Sequence, residues 1–235
     1  MCLEKEGIKI HPEAKEDWDH LIYECPAGAI EWDSHEMEVG DVMQEIRKDQ
    51  VFFEQGGGVT LSGGEPFMQW EFAKELLLAC QKENIHTAIE SSFFANEEAV
   101  DALLPHLDFI FADVKLFSEK AHKTYTGVSN ERILANVKKL LTSEKKDQII
   151  IRTPMIPGIT ATKENIQAIA GFLSEQYEDV TYELLNYNPL AEAKYHLIDR
   201  AYCYEENPPM YAKEEMKTFA EWAMDAGIKK EKCIY

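Results

Sequence analysis

Two apolar patterns alternate along the chain from residue 38 onward. Val39, Val42, Met43 and Ile46 are spaced as i, i+3, i+4 and i+7, which predicts one buried face of a helix. Beyond them, short apolar runs, several rich in β-branched residues, alternate with further helical patterns. The predicted strands cover residues 59–61, 86–90, 108–114, 148–152 and 180–185, and the predicted helices after them cover 71–84, 97–104, 130–141, 162–176 and 213–226.

This alternation predicts the fold class. Repeated strand–helix units form a parallel sheet that helices cover, so we expect an α/β protein. Residues 1–37 are polar and irregular by comparison. The segment 187–211 interrupts the regular pattern with several tyrosines and prolines, and it is too long for an ordinary connection. It is either a packed excursion of the chain or a loop over a site.

Composition and charge exclude several classes of protein. The 235 residues include 24 basic and 43 acidic side chains, and the net charge of 24 − 43 = −19 disfavours binding to nucleic acid or to an anionic membrane, both of which require a basic surface. An aromatic content of 11% indicates a globular core rather than a disordered chain. No apolar stretch approaches the roughly 20 residues of a membrane span. The five cysteines are widely spaced, which predicts reduced thiols and a cytoplasmic location.

Polar side chains gather directly after the predicted strands. Because the carboxyl ends of parallel strands lie at one edge of a sheet, such residues are expected to meet in one site. The first strand is followed by Ser62, Gly63, Gly64 and Glu65, and the later strands by Glu90, Ser91, Ser92, Asp113, Lys115, Arg152, Thr153, Asn186 and Asn188.

The residue types at these positions favour a ligand with an α-amino acid group. Adjacent glycines let a ligand approach the main chain, and Glu65 suits an ammonium group. The planar fork of Arg152 suits a carboxylate. Asp113 and Lys115 are two residues apart and therefore point to one face of their strand, either as an ion pair or as ligand contacts. An alternative is an unrelated α/β-barrel enzyme that uses Glu65, Asp113 and Lys115 for acid–base chemistry.

Several segments resemble one family in their order and content. They are GGGVTLSGGEP at 56–66, DVK at 113–115, YTGV at 125–128, RTPMIPG at 152–158, and ELLNYNPL at 183–190 followed by Lys194-Tyr195. In this combination the chain resembles the glycyl-radical enzyme activating enzymes of the radical S-adenosylmethionine superfamily, of which the pyruvate formate-lyase activator is the best-known member. The resemblance extends over nearly everything from Cys25 to Gly227.

The resemblance implies a fold, a cofactor and a partner. The fold is a partial (β/α) barrel with S-adenosylmethionine at the carboxyl ends of the strands. Ser62, Gly63, Gly64 and Glu65 would hold its methionyl ammonium, and Arg152 would face its carboxylate. Asp113 and Lys115 would lie in the site for cofactor and substrate peptide, and Asn188 stands near the cofactor where many relatives have a histidine. The family reaction cleaves S-adenosylmethionine reductively, and the resulting radical takes hydrogen from a glycine of a partner glycyl-radical enzyme.

The sequence departs from this family at the cluster that drives the reaction. Relatives hold a 4Fe–4S cluster with three cysteines in a C-x3-C-x2-C loop after the first barrel strand, and no such spacing occurs here. The segment from Cys25 to Ile30 resembles the end of a ferredoxin-like insert. We therefore expect residues 1–37 to be a remnant of that insert, residues 38–235 to form a partial barrel without its first strand, and no residue to bind metal.

Two functional interpretations follow. The first is an activating protein that is inactive on its own because the cluster ligands are absent. The alternative is a non-catalytic module that binds S-adenosylmethionine or the partner enzyme. Three origins of the missing motif stay open: a mis-started or otherwise incomplete product, a degenerate homologue, or a cluster provided by another chain.

Overall fold

Six parallel strands form a single sheet in this computed structural model, which describes residues 36–53, 56–195, 202, 204 and 206–235. The order of the strands across the sheet is the same as their order along the chain. They are β1 (Gly58–Leu61), β2 (His86–Ser91), β3 (Phe109–Asp113), β4 (Ile149–Pro154), β5 (Thr181–Leu185) and β6 (Cys233–Ile234).

Helices connect the strands, as the alternating pattern predicts. The α-helices are α1 (Val39–Arg47), α2 (Gln50–Phe53), α3 (Trp70–Lys82), α4 (Glu97–Leu103), α5 (Glu119–Thr126), α6 (Glu131–Leu141), α7 (Lys163–Gln176), α8 (Glu192–Tyr195) and α9 (Lys213–Asp225). Short 3-10 turns lie at Pro66–Gln69, Leu104–His106, Lys146–Gln148, Pro189–Ala191 and Lys230–Lys232. The predicted α/β class is confirmed.

Side chains cap the first turn of α4, α5 and α7. The predicted cap at Thr162 is confirmed: its hydroxyl accepts the amide N–H of Asn165 at 3.2 Å, and α7 begins at the next residue. Asn96 caps α4 in the same way, with its side-chain oxygen 2.8 Å from the amide nitrogen of Ala99. Such caps satisfy donors that have no partner within the helix.

The main core lies between the sheet and the helices packed on it. Its fully buried members come from neighbouring elements, including Leu77, Ile89, Ile110, Val137 and Ile151. A smaller cluster joins α1 to α3 and β1 through Met43, Leu76, Cys80 and Ile85. Burial of these apolar side chains is the principal driving force for this arrangement.

The contact between β1 and β2 depends on a glycine. Gly58 lies opposite His86 in the parallel ladder. A methyl group at Gly58 would come within 2.1 Å of the main-chain oxygen of His86, which is closer than any real contact. The absence of a side chain at Gly58 therefore permits β1 to pair with β2.

Four elements are additional to the sequence pattern: the four-residue helices α2 and α8, the helix α5 and the strand β6. The helix α5 was not predicted, because its sequence EKAHKTYT lacks an apolar face and buries only His122. The strand β6 is two residues long and pairs with β5. The predictions for residues 1–35 lie outside the described residues. Within the described part of the chain, no helix has the length and apolar character needed to cross a membrane.

The tyrosine-rich segment 187–211 is anchored to the sheet in its described residues. Asn186 exchanges two hydrogen bonds with the main chain of Tyr211, at 2.9 and 3.0 Å. The hydroxyl of Tyr204 donates to the main-chain oxygen of Pro157, at 2.6 Å, in the loop after β4. The segment is therefore packed against the loop that follows a neighbouring strand.

Candidate functional site

A polar cavity of about 320 Å³ opens at the carboxyl ends of β1 to β4. Ten of the thirteen strand-end residues grouped from the sequence line it, and seven of the eight residues that the resemblance assigns to the cofactor are among them. The lining consists of Ser62, Gly63, Gly64, Glu65, Glu90, Ser91, Ser92, Asp113, Lys115 and Arg152. The parallel sheet thus brings together polar residues that are as much as 90 positions apart (152 − 62 = 90) in the sequence.

Glu65 is tied to the end of β2 through both of its carboxylate oxygens. Its Oε1 accepts the Ser91 hydroxyl at 2.6 Å and the amide of Phe67 at 3.4 Å. Its Oε2 accepts the hydroxyl of Ser92 at 2.6 Å and the Ser92 amide at 3.1 Å. Each oxygen therefore has two donors, which is its full capacity. Glu65 fixes the loop after β1 to the neighbouring strand.

The two glycines of this loop differ in whether the backbone conformation explains them. Gly63 has a φ of +115°, a backbone conformation that residues with a Cβ rarely adopt. Gly64 has no such φ, and a methyl group added there would meet nothing within 4 Å. Neither backbone conformation nor packing among the described residues explains a glycine at 64. Close approach of a bound molecule would explain it.

Arg152 bridges two carboxylates from neighbouring strands. Its Nη1 lies 3.1 Å from Oε1 of Glu90, and its Nε lies 3.1 Å from Oδ1 of Asp113. The guanidinium also stacks over the ring of Phe111, at 4.7 Å from the ring centre. Only 12% of the Arg152 side chain is exposed. Arg152, which we expected to pair with a ligand carboxylate, is thus already paired within the protein, although its guanidinium retains further N–H donors.

Burial and charge shift the pKa values of this network in different directions. The hydrogen bond from Arg152 lowers the pKa of the Glu90 carboxyl. Burial raises the pKa of the Asp113 carboxyl and outweighs the opposing charges of Lys115 and Arg152. Burial alone would lower the pKa of Arg152, but its bonds to Glu90 and Asp113 raise it. Of the two carboxylates that Arg152 binds, Asp113 is therefore the one that is protonated more easily.

Lys115 is the more exposed of the two lining cations. Its Nζ lies 3.9 Å from Oδ2 of Asp113, and 42% of its side chain is exposed. The lining contains three carboxylates, Glu65, Glu90 and Asp113, and two cations, so 2 − 3 leaves one net negative charge. The predicted ion pair of Asp113 and Lys115 is present, and it faces the cavity.

Three of the grouped strand-end residues, Thr153, Asn186 and Asn188, do not line this cavity, and Asn188 is the one among them that the resemblance assigns to the cofactor. Its side chain is exposed and accepts the amide N–H of Leu190 at 3.0 Å, which caps the turn Pro189–Ala191. Its local role in the structure is to begin that turn.

The described residues do not fit an iron–sulfur cluster. No three His, Cys, Asp or Glu side chains among them are grouped so as to hold a metal ion. Cys80 and Cys233 are free thiols buried in the core. The other three cysteines lie outside the part of the chain that the structure describes.

Comparisons with known proteins give the family. The sequence model of the radical SAM superfamily matches residues 24–173. The (2S)-3-sulfopropanediol dehydratase activating enzyme of Klebsiella oxytoca is 42% identical over 173 residues, which are 72% of this chain and 54% of that enzyme. The isethionate sulfite-lyase activating enzyme of Oleidesulfovibrio alaskensis is 37% identical over 177 residues, 75% of this chain and 57% of that enzyme. The chain thus spans little more than half the length of these relatives.

A solved structure agrees with these matches. A domain of the pyruvate-formate lyase-activating enzyme from Bacteroides vulgatus superimposes with a TM-score of 0.55 and 26% identity, over 74% of this chain and 96% of that domain. Because the family match covers more than half of the 235 residues, the chain belongs to the radical SAM superfamily.

Proposed function

We propose that this chain binds S-adenosylmethionine in the cavity at the strand ends, as part of a glycyl-radical enzyme activating protein. The observation that carries the proposal is Gly64, a glycine that lines the cavity, faces open space and is not required by any contact among the described residues. Membership of the superfamily and the similarity to activating enzymes support it. The partner in this proposal is a glycyl-radical enzyme.

Charge is a second argument for this ligand. S-adenosylmethionine carries a sulfonium, an ammonium and a carboxylate, and therefore has a net positive charge. The described lining has one net negative charge, so the two are complementary. In this proposal the loop of Ser62, Gly63 and Gly64, held by Glu65, meets the methionyl group. The methionyl carboxylate lies toward the remaining donors of Arg152, and Asp113 and Lys115 lie beside the cofactor and the substrate peptide.

A substitution at Gly64 tests the binding site. Gly64→Ala fits the protein but occupies space that the ligand needs, so we expect the Kd for S-adenosylmethionine to rise at least about tenfold in calorimetry. The melting temperature should stay that of the parent chain. The matched control is Gly40→Ala in α1, which also meets nothing within 4 Å and lies outside the cavity lining. An unchanged Kd in Gly64→Ala, or no binding by the parent, would reject the proposal.

The catalytic part of the function depends on a cluster. A 4Fe–4S cluster, when bound, supplies the electron that cleaves the cofactor. Because the 235 residues contain no C-x3-C-x2-C spacing, we propose that this polypeptide by itself does not assemble such a cluster and is inactive in cleavage. Anaerobic reconstitution with iron and sulfide should leave no stable cluster absorbance after desalting. A stoichiometric cluster in the purified product would show this part to be wrong.

A non-catalytic module that binds S-adenosylmethionine or the partner is the second candidate function, and the absent cysteine spacing favours it. Calorimetry with S-adenosylmethionine separates the two functions. A Kd that is the same without iron and sulfide as after reconstitution supports the non-catalytic binding module. The division into an insert remnant at residues 1–37 and a partial barrel at 38–235 stays a prediction, as does the cytoplasmic location.

A further inference from the structure

Three buried asparagines clamp the loops at the carboxyl ends of the strands. Each donates both hydrogens of its side-chain amide to two main-chain oxygens. Asn136 binds Phe93 and Ala95 after β2, at 2.9 Å each. The other two act on the loop after β3 and are described below. Exposed fractions of 2% to 8% place all three in the interior.

The loop that carries Lys115 is held at successive main-chain groups. Asn165 donates to the oxygen of Lys115 at 3.0 Å and accepts the amide N–H of Phe117 at 2.9 Å. Asn130 donates to the oxygens of Leu116 and Phe117 at 3.0 and 2.7 Å. Two asparagines from two helices thus fix three consecutive residues.

Thr153 adds a third point of attachment from the neighbouring strand. Its hydroxyl donates to the oxygen of Val114 at 2.6 Å and accepts from the hydroxyl of Tyr182 at 2.8 Å. The side chains of Val114 and Leu116 are themselves buried. Within the segment 114–117, Lys115 alone lines the cavity.

Helix stability does not explain these asparagines. Asparagine is a poor helix former, and its amide is costly to bury unless its hydrogen bonds are made. Asn130 stands at the cap position of α6, yet its side chain makes no cap bond and reaches back to the loop instead. Asn165 also donates to the oxygen of Thr160, at 3.1 Å, and so joins the loop after β3 to the loop after β4.

We propose that Asn165, together with Asn130, is a positioning residue that fixes the main chain of Lys115 and thereby aims its ammonium into the cavity. The inference rests on the proposed function in one respect, namely that the ligand of Lys115 is S-adenosylmethionine. Asn165 does not line the cavity and acts through the loop. An ammonium on a fixed main chain loses less conformational freedom when it contacts the bound ligand, which increases affinity.

Asn136 provides a matched control for the experiment. It is as deeply buried as Asn165 and also donates two hydrogen bonds to main-chain oxygens, but it holds the segment 93–95, which lies outside the cavity lining. Asn165→Ala and Asn136→Ala therefore remove comparable interactions from different loops. Asn165→Asp is a third variant, because it retains the acceptor for Phe117 and loses both donated bonds.

Hydrogen exchange on the full chain without ligand is the first measurement. Asn165→Ala should speed exchange in peptides covering 114–117 and leave 93–95 at the parent rate, and Asn136→Ala should show the reverse. Calorimetry with S-adenosylmethionine is the second, at a temperature where circular dichroism shows every variant folded. Asn165→Ala and Asn165→Asp should raise Kd about tenfold, and Asn136→Ala should stay within about twofold of the parent.

A double-mutant cycle completes the test. If Asn165 acts through Lys115, Asn165→Ala should weaken binding little further in a Lys115→Ala background. Equal losses of affinity in the Asn165 and Asn136 variants, or additive losses in the cycle, would overturn this inference and leave the proposed function intact. No binding by the parent chain would overturn the proposed function and with it the ligand role of Lys115.

Discussion

At the scale of single residues, Arg152 holds three strands together at the site. It pairs with Glu90 on β2 and with Asp113 on β3 while lying on β4 itself. Glu90 also accepts the hydroxyl of Ser62 at 3.2 Å, so the network continues into the glycine loop after β1. Loss of this one guanidinium would leave two carboxylates facing each other at the mouth of the cavity.

Arg152→Met should lower the free energy of unfolding by about 2–3 kcal/mol near neutral pH, less than for a fully buried pair because Glu90 is partly exposed. The lowered pKa of Glu90 stabilises the parent above the ordinary titration range of a glutamate, and this contribution is lost as the pH falls through the lowered value. Asp113, whose pKa burial already raises, would be protonated more easily in the variant. The deficit should therefore shrink toward acid pH.

Urea titrations near neutral pH and at about pH 4 measure this difference. Arg132→Met is the control, since Arg132 is exposed and stacks on Phe94, at 5.1 Å from the ring centre. Its effect should stay within about 0.5 kcal/mol at both pH values. A deficit in Arg152→Met that grows on acidification would contradict the assigned directions of the two pKa shifts.

The two described thiols should be unreactive in the folded protein. Burial raises the pKa of Cys233 to about 11, and burial also raises that of Cys80. Because the thiolate is the nucleophile, iodoacetamide should modify both far more slowly in the native state than in urea at the same pH. Peptide mapping by mass spectrometry measures the two rates. Native modification as fast as that of the unfolded chain would show that these thiols are accessible.

At the scale of elements, the packing of β1 on β2 requires the absence of a side chain at Gly58. Gly58→Ala would place its methyl group 2.1 Å from the main-chain oxygen of His86, so we expect a loss of about 1–3 kcal/mol or more. Gly171→Ala is the control in the interior of α7, where the added methyl group would meet only the oxygen of Ala226, at 4.0 Å. It should stabilise the protein by about 0.5–1 kcal/mol. In urea unfolding, the free energy of unfolding should fall in Gly58→Ala and rise in Gly171→Ala. A change of the same sign in both variants would contradict this prediction.

Elements with a strong apolar period were predictable from the sequence, and those formed by tertiary contacts were not. The β-branched run of β4 and the apolar face of α6 bury the residues their patterns indicate. By contrast, α5 follows a capping serine but has almost no apolar face, and β6 exists because β5 provides a partner. The sheet topology allowed the strand-end residues to be grouped in advance. The asparagine clamps were not predictable, because a side chain that binds main-chain oxygens leaves no periodic pattern.

At the scale of the whole molecule, a net charge of −19 should make stability depend on salt. Salt screens the repulsion among the excess negative charges. Each kcal/mol of repulsion that salt removes should raise the melting temperature by about 2–4 °C. Local pairs act in the other direction, such as Lys229 with Glu178 and Asp179 at 2.9 and 2.7 Å, but exposed pairs contribute little. Calorimetric scans in sodium chloride test this balance. A melting temperature that falls with salt would show that the pairs outweigh the repulsion.

The identical order of strands in space and in sequence has a consequence for synthesis on the ribosome. Each new strand emerges when its only earlier neighbour is already complete, so the sheet can grow by addition at one edge. None of the six described strands has to wait for a later one to be inserted between itself and its predecessor. The glycine loop after β1 and Glu90 on β2 are synthesised before Arg152, which pairs with Glu90 and arrives with β4. The cavity should therefore acquire its charge balance only once β4 has been made.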